Sequence, residues 1–414
     1  MVIIAVALLL APAMAVATEV KYPVPAYTPE ELAKVREWEK TWAGKRIDNT
    51  NIDQVAEFFP ESYINIYKYP AEHGAPPGEV FHFNIVPYKQ IIETKGKIAA
   101  TKKYAPLVKT DAEGVILNTA ELAGVPFPQP KTGLEIAYNM DFNTYGDTSL
   151  ARWDAPVVDY RARTDRYADQ SFEIMYFIHR TEVDPKPAIK KNPKGYHRGQ
   201  FLHFRMPPEM NNSRFIALKF IDEKKEYKTY LYYSDFRRIR RLSQAERCNA
   251  IDGTDMIYDD GDMNDMYISR SNYKYIGKKE LLLSRHQDMS KTQRTPGQAI
   301  ANNYDFERCN TYVVELKHKD PHYIYSKKIW YLDPETYKIH WMEMWDEVGR
   351  FWKCFVSPSQ NIKMSNGEMK NMMVGYVIQD FQRKHAGHTY MHILKVGYEQ
   401  SPKIFLLSNL QKSY

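Results

Sequence analysis

The chain has 414 residues, 43% of them hydrophobic, and its 57 basic and 51 acidic side chains leave a net charge of +6. That length and apolar content suffice for one large core or two smaller ones. The charges are mixed along the chain, which excludes a basic nucleic-acid-binding arm. Tyrosine alone counts 31, and a Tyr-rich chain favours strands and half-apolar, half-wet surfaces.

The first residues, "MVIIAVALLLAPAMAVATEV", read as an export leader: an apolar run, then small residues. Ala13-Met14-Ala15 and Ala15-Val16-Ala17 both fit an A-x-A cleavage pattern, which places the leader at 1–17 and marks the rest of the chain for export. A positive n-region is missing from this leader. The run is short for a membrane span, and no other stretch approaches about 18 apolar residues.

"PAYTPEELAKVREWEKTWAG" follows as a helix, with Thr28 as cap, Pro29 in the first position and Glu31 completing a capping box. A short helix is expected over Ile52 to Phe59, stopped by Pro60, and a Lys-rich third over 87–105. "GVPFPQPKTGLEIAYNMDF" reads as an extended connector because of its prolines. The expected division is therefore a helical segment over 18–125 that packs on a sheet over 126–414.

From about residue 150 strand signals dominate, in runs such as "SFEIMYFIHRTEV", "RFIALKFID", "YKTYLYYSD" and "FRRIRRL". Short connections between them imply antiparallel meanders. "DPET" suits a turn led by Asp333 and Pro334, and "DEVGR" a second turn with positive φ at Gly349. In the strand after "DPET", Trp341, Glu343 and Trp345 alternate with His340, Met342 and Met344, so both faces carry large apolar groups. The competing readings are a plain core that uses Trp as filler and a curved sheet with one side lining a hollow.

Catalytic signatures are missing: the chain has no G-x-S-x-G, H-E-x-x-H, Walker loop or G-x-G-x-x-G. The Asp-rich stretch "DGTDMIYDDGDMNDMY" fails the EF-hand spacing and reads as a solvated loop, with calcium as the sharper alternative. His385, His388 and His392 could meet a transition metal but lack an evident carboxylate partner, so no metal and no cofactor is assigned. Cys248, Cys309 and Cys354 form no CxxC, and their pairing stays open. Glu343 and Asp346 are weighed as an acid–base pair against an ordinary cross-strand ion pair.

Several segments, in order, resemble one bacterial family, the domain of unknown function 1329: "GVPFP" with "GLEIAYNMDF", "DFRRIRR", "YKYIGKKE", and "YVVELKHKDPHYIYSKKIWYLDPETYKIHWMEMWDEVGRFWK". The resemblance runs from about residue 40 to 400. It departs at "ERCNTYVVE", which lacks the family's His, and at "LLLSRHQD", which replaces a Pro-Tyr-Asn segment. The family's members are exported proteins of Gram-negative bacteria, and their strand-turn-strand block is similar to that of periplasmic lipoprotein-sorting carriers. The resemblance implies an α+β, mainly antiparallel fold: a large curved half-barrel sheet with helices over its concave face, holding acyl chains.

The expected function is thus a non-enzymatic periplasmic carrier or chaperone for a lipid-like ligand. Phe215, Tyr233, Trp330, Trp341, Trp345 and Trp352 are the candidate wall, and Arg237, Arg238, Arg240 and Arg241 the candidate headgroup contacts. Its partners would be a hydrophobic small molecule or lipid and an inner-membrane exporter or outer-membrane protein, with no nucleic acid. Two alternatives are an envelope scaffold with a filled hollow, and a hydrolase or isomerase of a lipid-like substrate with paired titratable groups in the hollow.

Overall fold

Thr28 starts helix α1 (Pro29–Trp42) through a reciprocal cap: its hydroxyl accepts from the Glu31 N–H while the Glu31 carboxylate accepts from the Thr28 N–H. The structure, a computed structural model, describes residues 20–243, 245–251 and 253–412. The expected leader and its cleavage sites lie outside these residues. Strand β1 (Arg46–Ile47) comes next, followed by a 3₁₀ turn over Ile52–Phe58. Beyond Pro60 lies a helix the sequence reading did not anticipate, α2 (Glu61–Lys68), then β2 (Phe83–Ile85).

Two expectations are corrected here. The helix expected over 87–105 begins only at Lys95, as α3 (Lys95–Tyr104) capped by Thr94. Its first half is extended because the amides of Tyr88, Lys89 and Ile91 donate to the carboxylates of Glu39, Glu307 and Glu335 instead of to a helix. The connector after the prolines is half helix: α4 (Gly133–Asp141) starts at Thr132, whose hydroxyl accepts from the Glu135 N–H. Gly133 is required there, since a Cβ would fall within 2.8 Å of the Tyr273 backbone.

The β region comprises β3 (Thr148–Asp154), β4 (Val157–Asp159), β5 (Thr164–Arg166), β6 (Asp169–Tyr176), β7 (Tyr196–Met206), β8 (Arg214–Phe220), β9 (Lys228–Tyr233) and β10 (Arg238–Leu242). It continues with β11 (Ser271–Leu283), β12 (Tyr304–His318), β13 (Tyr325–Leu332), β14 (Ile339–Asp346), β15 (Phe351–Val356), β16 (Ser359–Lys363), β17 (Met369–Met373), β18 (Gly375–Asp380) and β19 (His385–Val396).

An antiparallel path runs β10–β9–β8–β7–β6–β3–β19–β18–β15–β14–β13–β12–β11. The sheet is open, with β10 and β11 at its two ends. β2 pairs in parallel with the start of β12, and the β4–β5 hairpin pairs with β19.

The alternation along β12 to β15 sorts the aromatic residues onto two covered faces. On the outer face Trp341, Cys354, Val356 and Val313 pack under α1, α2 and their connections. The Trp341 ring lies 4.6 Å from Tyr63 and 5.8 Å from Phe59, and its Nε1 donates to Leu282 O at 2.9 Å. On the inner face Trp330, Met342, Met344 and Phe355 join a cluster that includes Ile136 and Ala137 of α4 and Met256, Ile257 and Met263 of the 245–270 segment.

The N-terminal segment is tied down at the buried "DPET" turn. Arg285 pairs with Asp333 at 2.7 Å and with Glu335, and Glu335 accepts from the Ala26 and Ile91 amides and the Tyr88 hydroxyl. A buried guanidinium so placed needs all of these partners.

Candidate functional site

The Asp-rich stretch is not a solvated loop, which corrects the sequence reading. Among its described carboxylates, Asp255, Asp259, Asp260 and Asp265 are buried. The segment lies against the inner face, where cations on the strands meet it. Lys328 of β13 pairs with Asp260 at 3.0 Å, and the Tyr325 hydroxyl donates to the same carboxylate at 2.8 Å. Lys353 of β15 donates to the Asp255 carbonyl at 2.6 Å. Arg247, within the segment, holds Asp259 at 2.7 Å and Asp265 at 3.2 Å, and Arg198 of β7 pairs with Asp262 at 3.3 Å and with Asp265. Asp259, Asp260, Asp262 and Asp265 are thus each paired with a protein cation, as buried carboxylates require.

This packing fills the inner face over β13 to β15 and leaves a cavity of about 140 Å³ farther along. Trp153, Phe172, Leu202, Phe204, Phe215 and Leu231 line one side, from β3 and β6 to β9, and Ile251, Met256 and Tyr258 of the segment line the other. Tyr376 of β18 and His388 of β19 close it. Leu231 on β9 and Tyr376 on β18 are six strand steps apart, about 29 Å on a flat sheet. Both border one cavity, so the sheet curls around it.

The wall is mostly apolar, with a polar group of Gln200, Arg247, Asp262 and Asp265 that hydrogen bonds and ion pairs link through Arg198, and with Arg166 as a further charged residue in the lining. Gln200 Nε2 donates to Asp262 at 3.0 Å. Burial pushes the Asp262 carboxyl up to about 6 against the pull of Arg198, and Asp265 adds to the rise. Asp265 is also opposed by burial, but Arg198 and Arg247 outweigh it and hold this carboxyl below its ordinary value.

The structure scatters the residues singled out from sequence. Phe215 lines the cavity and stacks on Tyr258, ring centres 5.7 Å apart. Tyr233 packs beside it in the cluster with Phe204 and Met210. Trp330 lies on the inner face in the filled half, 5.6 Å from Tyr273. Trp341 is on the opposite face, because alternation turns it toward α2. Trp345 sits under Lys327, and Trp352 donates to Asp380 at 2.8 Å beside Tyr325. Arg237 is in the turn before β10, Arg238, Arg240 and Arg241 are on that end strand, and Arg240 pairs with Glu246. The cavity's guanidiniums are instead Arg166 and Arg247.

Glu343 is not paired with Asp346: it accepts from the Ser62 and Tyr331 hydroxyls, while Asp346 pairs with Arg350 at 2.8 Å. The β19 histidines do not converge either. His388 is buried in the cavity wall, His385 lies 3.5 Å from Asp159, and His392 pairs with Asp154 at 3.0 Å. The three cysteines are free.

Sequence reasoning missed Trp153, Phe172 and Arg247, and took Asp262 as part of a solvated loop. The aspartates stood in a stretch rich enough in charge to pass for solvated, and Arg247 just before it carried no signal of its own. Only the inward Lys328, Lys353 and Arg198, each on a strand where a solvated cation is ordinary, could have signalled a counter-charged cover.

A protein of Pseudomonas aeruginosa, uncharacterized protein PA3922, is 23% identical over 322 residues, which is 73% of this chain and 66% of that protein. The chain thus spans just under two thirds of that relative's length. A solved DUF1329 family protein from Desulfovibrio piger superimposes with a TM-score of 0.50 at 13% identity, covering 67% of this chain and 98% of that one. A candidate outer membrane lipoprotein-sorting protein domain from Vibrio parahaemolyticus gives a TM-score of 0.49 at 14% identity, covering 68% of this chain and 98% of that one. The sequence profile of the family "Protein of unknown function (DUF1329)" matches residues 46–404, and the chain belongs to that family.

Proposed function

We propose that this protein is an exported periplasmic carrier that holds a lipid-like ligand on the inner face of its open sheet. One observation carries the reading: a cavity walled by Trp153, Phe172, Leu202, Phe204 and Phe215, with a buried charged group at Arg247 and Asp262. An apolar wall with a few placed polar groups is what a hydrophobic ligand with one polar end requires. Among the described residues no helix is long and apolar enough to cross a membrane.

Size adds a condition. The cavity of about 140 Å³ is close to the roughly 150 Å³ that admits one benzene ring. A longer acyl chain needs more room, which lifting of the 245–270 segment from the sheet would give. The segment is therefore the cover of the site, and an exporter or outer-membrane protein that displaced it would load or unload the carrier.

The test is titration with a fluorescent fatty acid. Wild type is expected to bind it saturably, and Leu202→Trp, which fills the cavity from β7, is expected to lose at least tenfold in affinity with its circular dichroism unchanged. Binding undiminished in Leu202→Trp would remove the cavity from the account and favour a scaffold with a filled inner face.

A catalytic reading has one observation behind it, two neighbouring carboxylates in the cavity wall whose proton affinities are pushed apart. Their other partners are Arg198, Arg247 and Gln200, which is the pattern of a structural ion network. Hydrolysis of a fluorogenic fatty-acyl ester, lost in Asp262→Asn, would reverse this preference.

A further inference from the structure

Away from the cavity, three elements bring Asp141, His179 and His197 together, with one ligand atom of each lying within 4.8 Å of the others. Each is placed by a specific feature. Asp141 is the last residue of α4, where the helix dipole disfavours a negative charge unless a cation is near. His179 follows β6 at a φ of 61°. His197 sits at the register shift between Tyr196 and Arg198, where a bulge re-aims a side chain.

The two imidazoles are buried, at 0% and 4% exposure, and the Nε2 atom of each has no hydrogen-bond partner among the described residues. His179 Nδ1 lies 2.9 Å from the Leu122 carbonyl. A carbonyl accepts only, so Nδ1 carries the proton and Nε2 presents a lone pair. Phe142 stacks on the same ring at 3.5 Å and holds its plane. A buried polar atom left unpaired is costly, and two in one cluster beside a carboxylate call for a common partner.

We propose that Asp141, His179 and His197 bind a divalent transition metal, zinc first, which pins α4 and the loop after β6 to strand β7. Imidazole and carboxylate suit zinc, and three protein ligands leave a fourth position for water. The histidine–carbonyl contact is the outer-shell bond such a ligand makes.

Lys219 Nζ pairs with Asp141 Oδ1 at 2.7 Å and lies 3.4 Å from the Met266 carbonyl. A carboxylate bridging an ammonium and a metal gives one oxygen to each, so Lys219 orients the ligand. Tetrahedral zinc with bonds of about 2.0–2.1 Å sets its ligand atoms about 3.3 Å apart. The cluster thus closes slightly on the ion. His385, His388 and His392, the histidines that stood out in the sequence, take no part.

The experiment uses the full mature chain, without a histidine tag, purified in the absence of chelator. Elemental analysis is expected to find one zinc per chain. After chelation, Co²⁺ should give the visible bands of a tetrahedral site, and added Zn²⁺ should raise the thermal midpoint by a few degrees. His197→Gln and His179→Gln should each lose the bands and at least tenfold in affinity. His179 occupies left-handed backbone, so His197→Gln decides the matter if the other variant fails to fold. A metal-free protein with neither bands nor a thermal shift overturns the proposal. So does an unchanged Co²⁺ spectrum in His197→Gln.

Discussion

Over β13 and β15 the inner face carries Lys328 and Lys353 among its apolar residues, and the 245–270 segment brings Asp260 and the Asp255 carbonyl down onto them. Over β6 to β9 the same face carries Phe172, Leu202, Phe215 and Leu231, and the segment passes above them across a gap. The difference lies in the strand residues. An inward lysine cannot stay buried without a counter-charge, so it recruits chain and closes the space. An apolar patch makes no such demand and can stay hollow or take an apolar guest. Arg198 marks the boundary, since its pairs with Asp262 and Asp265 end the filled half and link the cavity's charged group.

Substitutions at three places in the sheet and its cover sharpen this contrast. The largest effect belongs to Asp260→Ala, which leaves Lys328 charged and buried and should cost about 3–5 kcal/mol in urea unfolding. Replacing both partners, as Asp260→Leu with Lys328→Met, should recover most of that loss. Equal destabilisation of the single and double variants would mean that packing, not charge, holds the segment down.

Trp341→Ala comes next, at about 3–4 kcal/mol from the lost outer-face packing. Fatty-acid binding by the folded fraction should be unchanged, because Trp341 lies on the far side of the sheet from the cavity. A binding loss larger than the folded fraction explains would put the ligand on the outer face.

The smallest effect is a pH dependence at the boundary. The folded-state value of Asp262 is about 6 against an ordinary 3.8. The folded protein therefore binds this proton more tightly than the unfolded chain does. The resulting stabilisation is complete below about 4 and is lost as pH rises through about 6. Asp262→Asn should remove this slope, so that wild type falls on the order of 2 kcal/mol relative to the variant between pH 4 and 7. Parallel stability curves would show that Asp262 is not held in the buried, charge-resisting state.

Much of the fold was legible because its signals are local. The capping box at Thr28 and Glu31, the alternation in β6 to β10 and β13 to β15, and the turn at Gly349 each rest on neighbours in sequence. Helix α4 was hidden by the prolines before it, although Thr132 and Glu135 carry the same cap signal as α1. The site was harder to read. Tryptophan content pointed to β13 to β15, but none of those four rings lines the cavity: Trp341 belongs to the outer core, and Trp330 and Trp352 pack in the filled half. The real wall draws single residues from strands separated by more than 200 positions, as with Trp153 and His388. The Asp-rich segment could not be read as buried without knowing that Lys328 and Lys353 face it.

The central claim is that the hollow half of the inner face carries an apolar ligand. Mass spectrometry of an organic extract tests it most directly, with wild type and Leu202→Trp purified gently in parallel from a native periplasm. A lipid-like molecule at near one per chain in wild type, and strongly depleted in the variant, is the predicted result. A clean wild-type extract, or equal loading of both proteins, would contradict it.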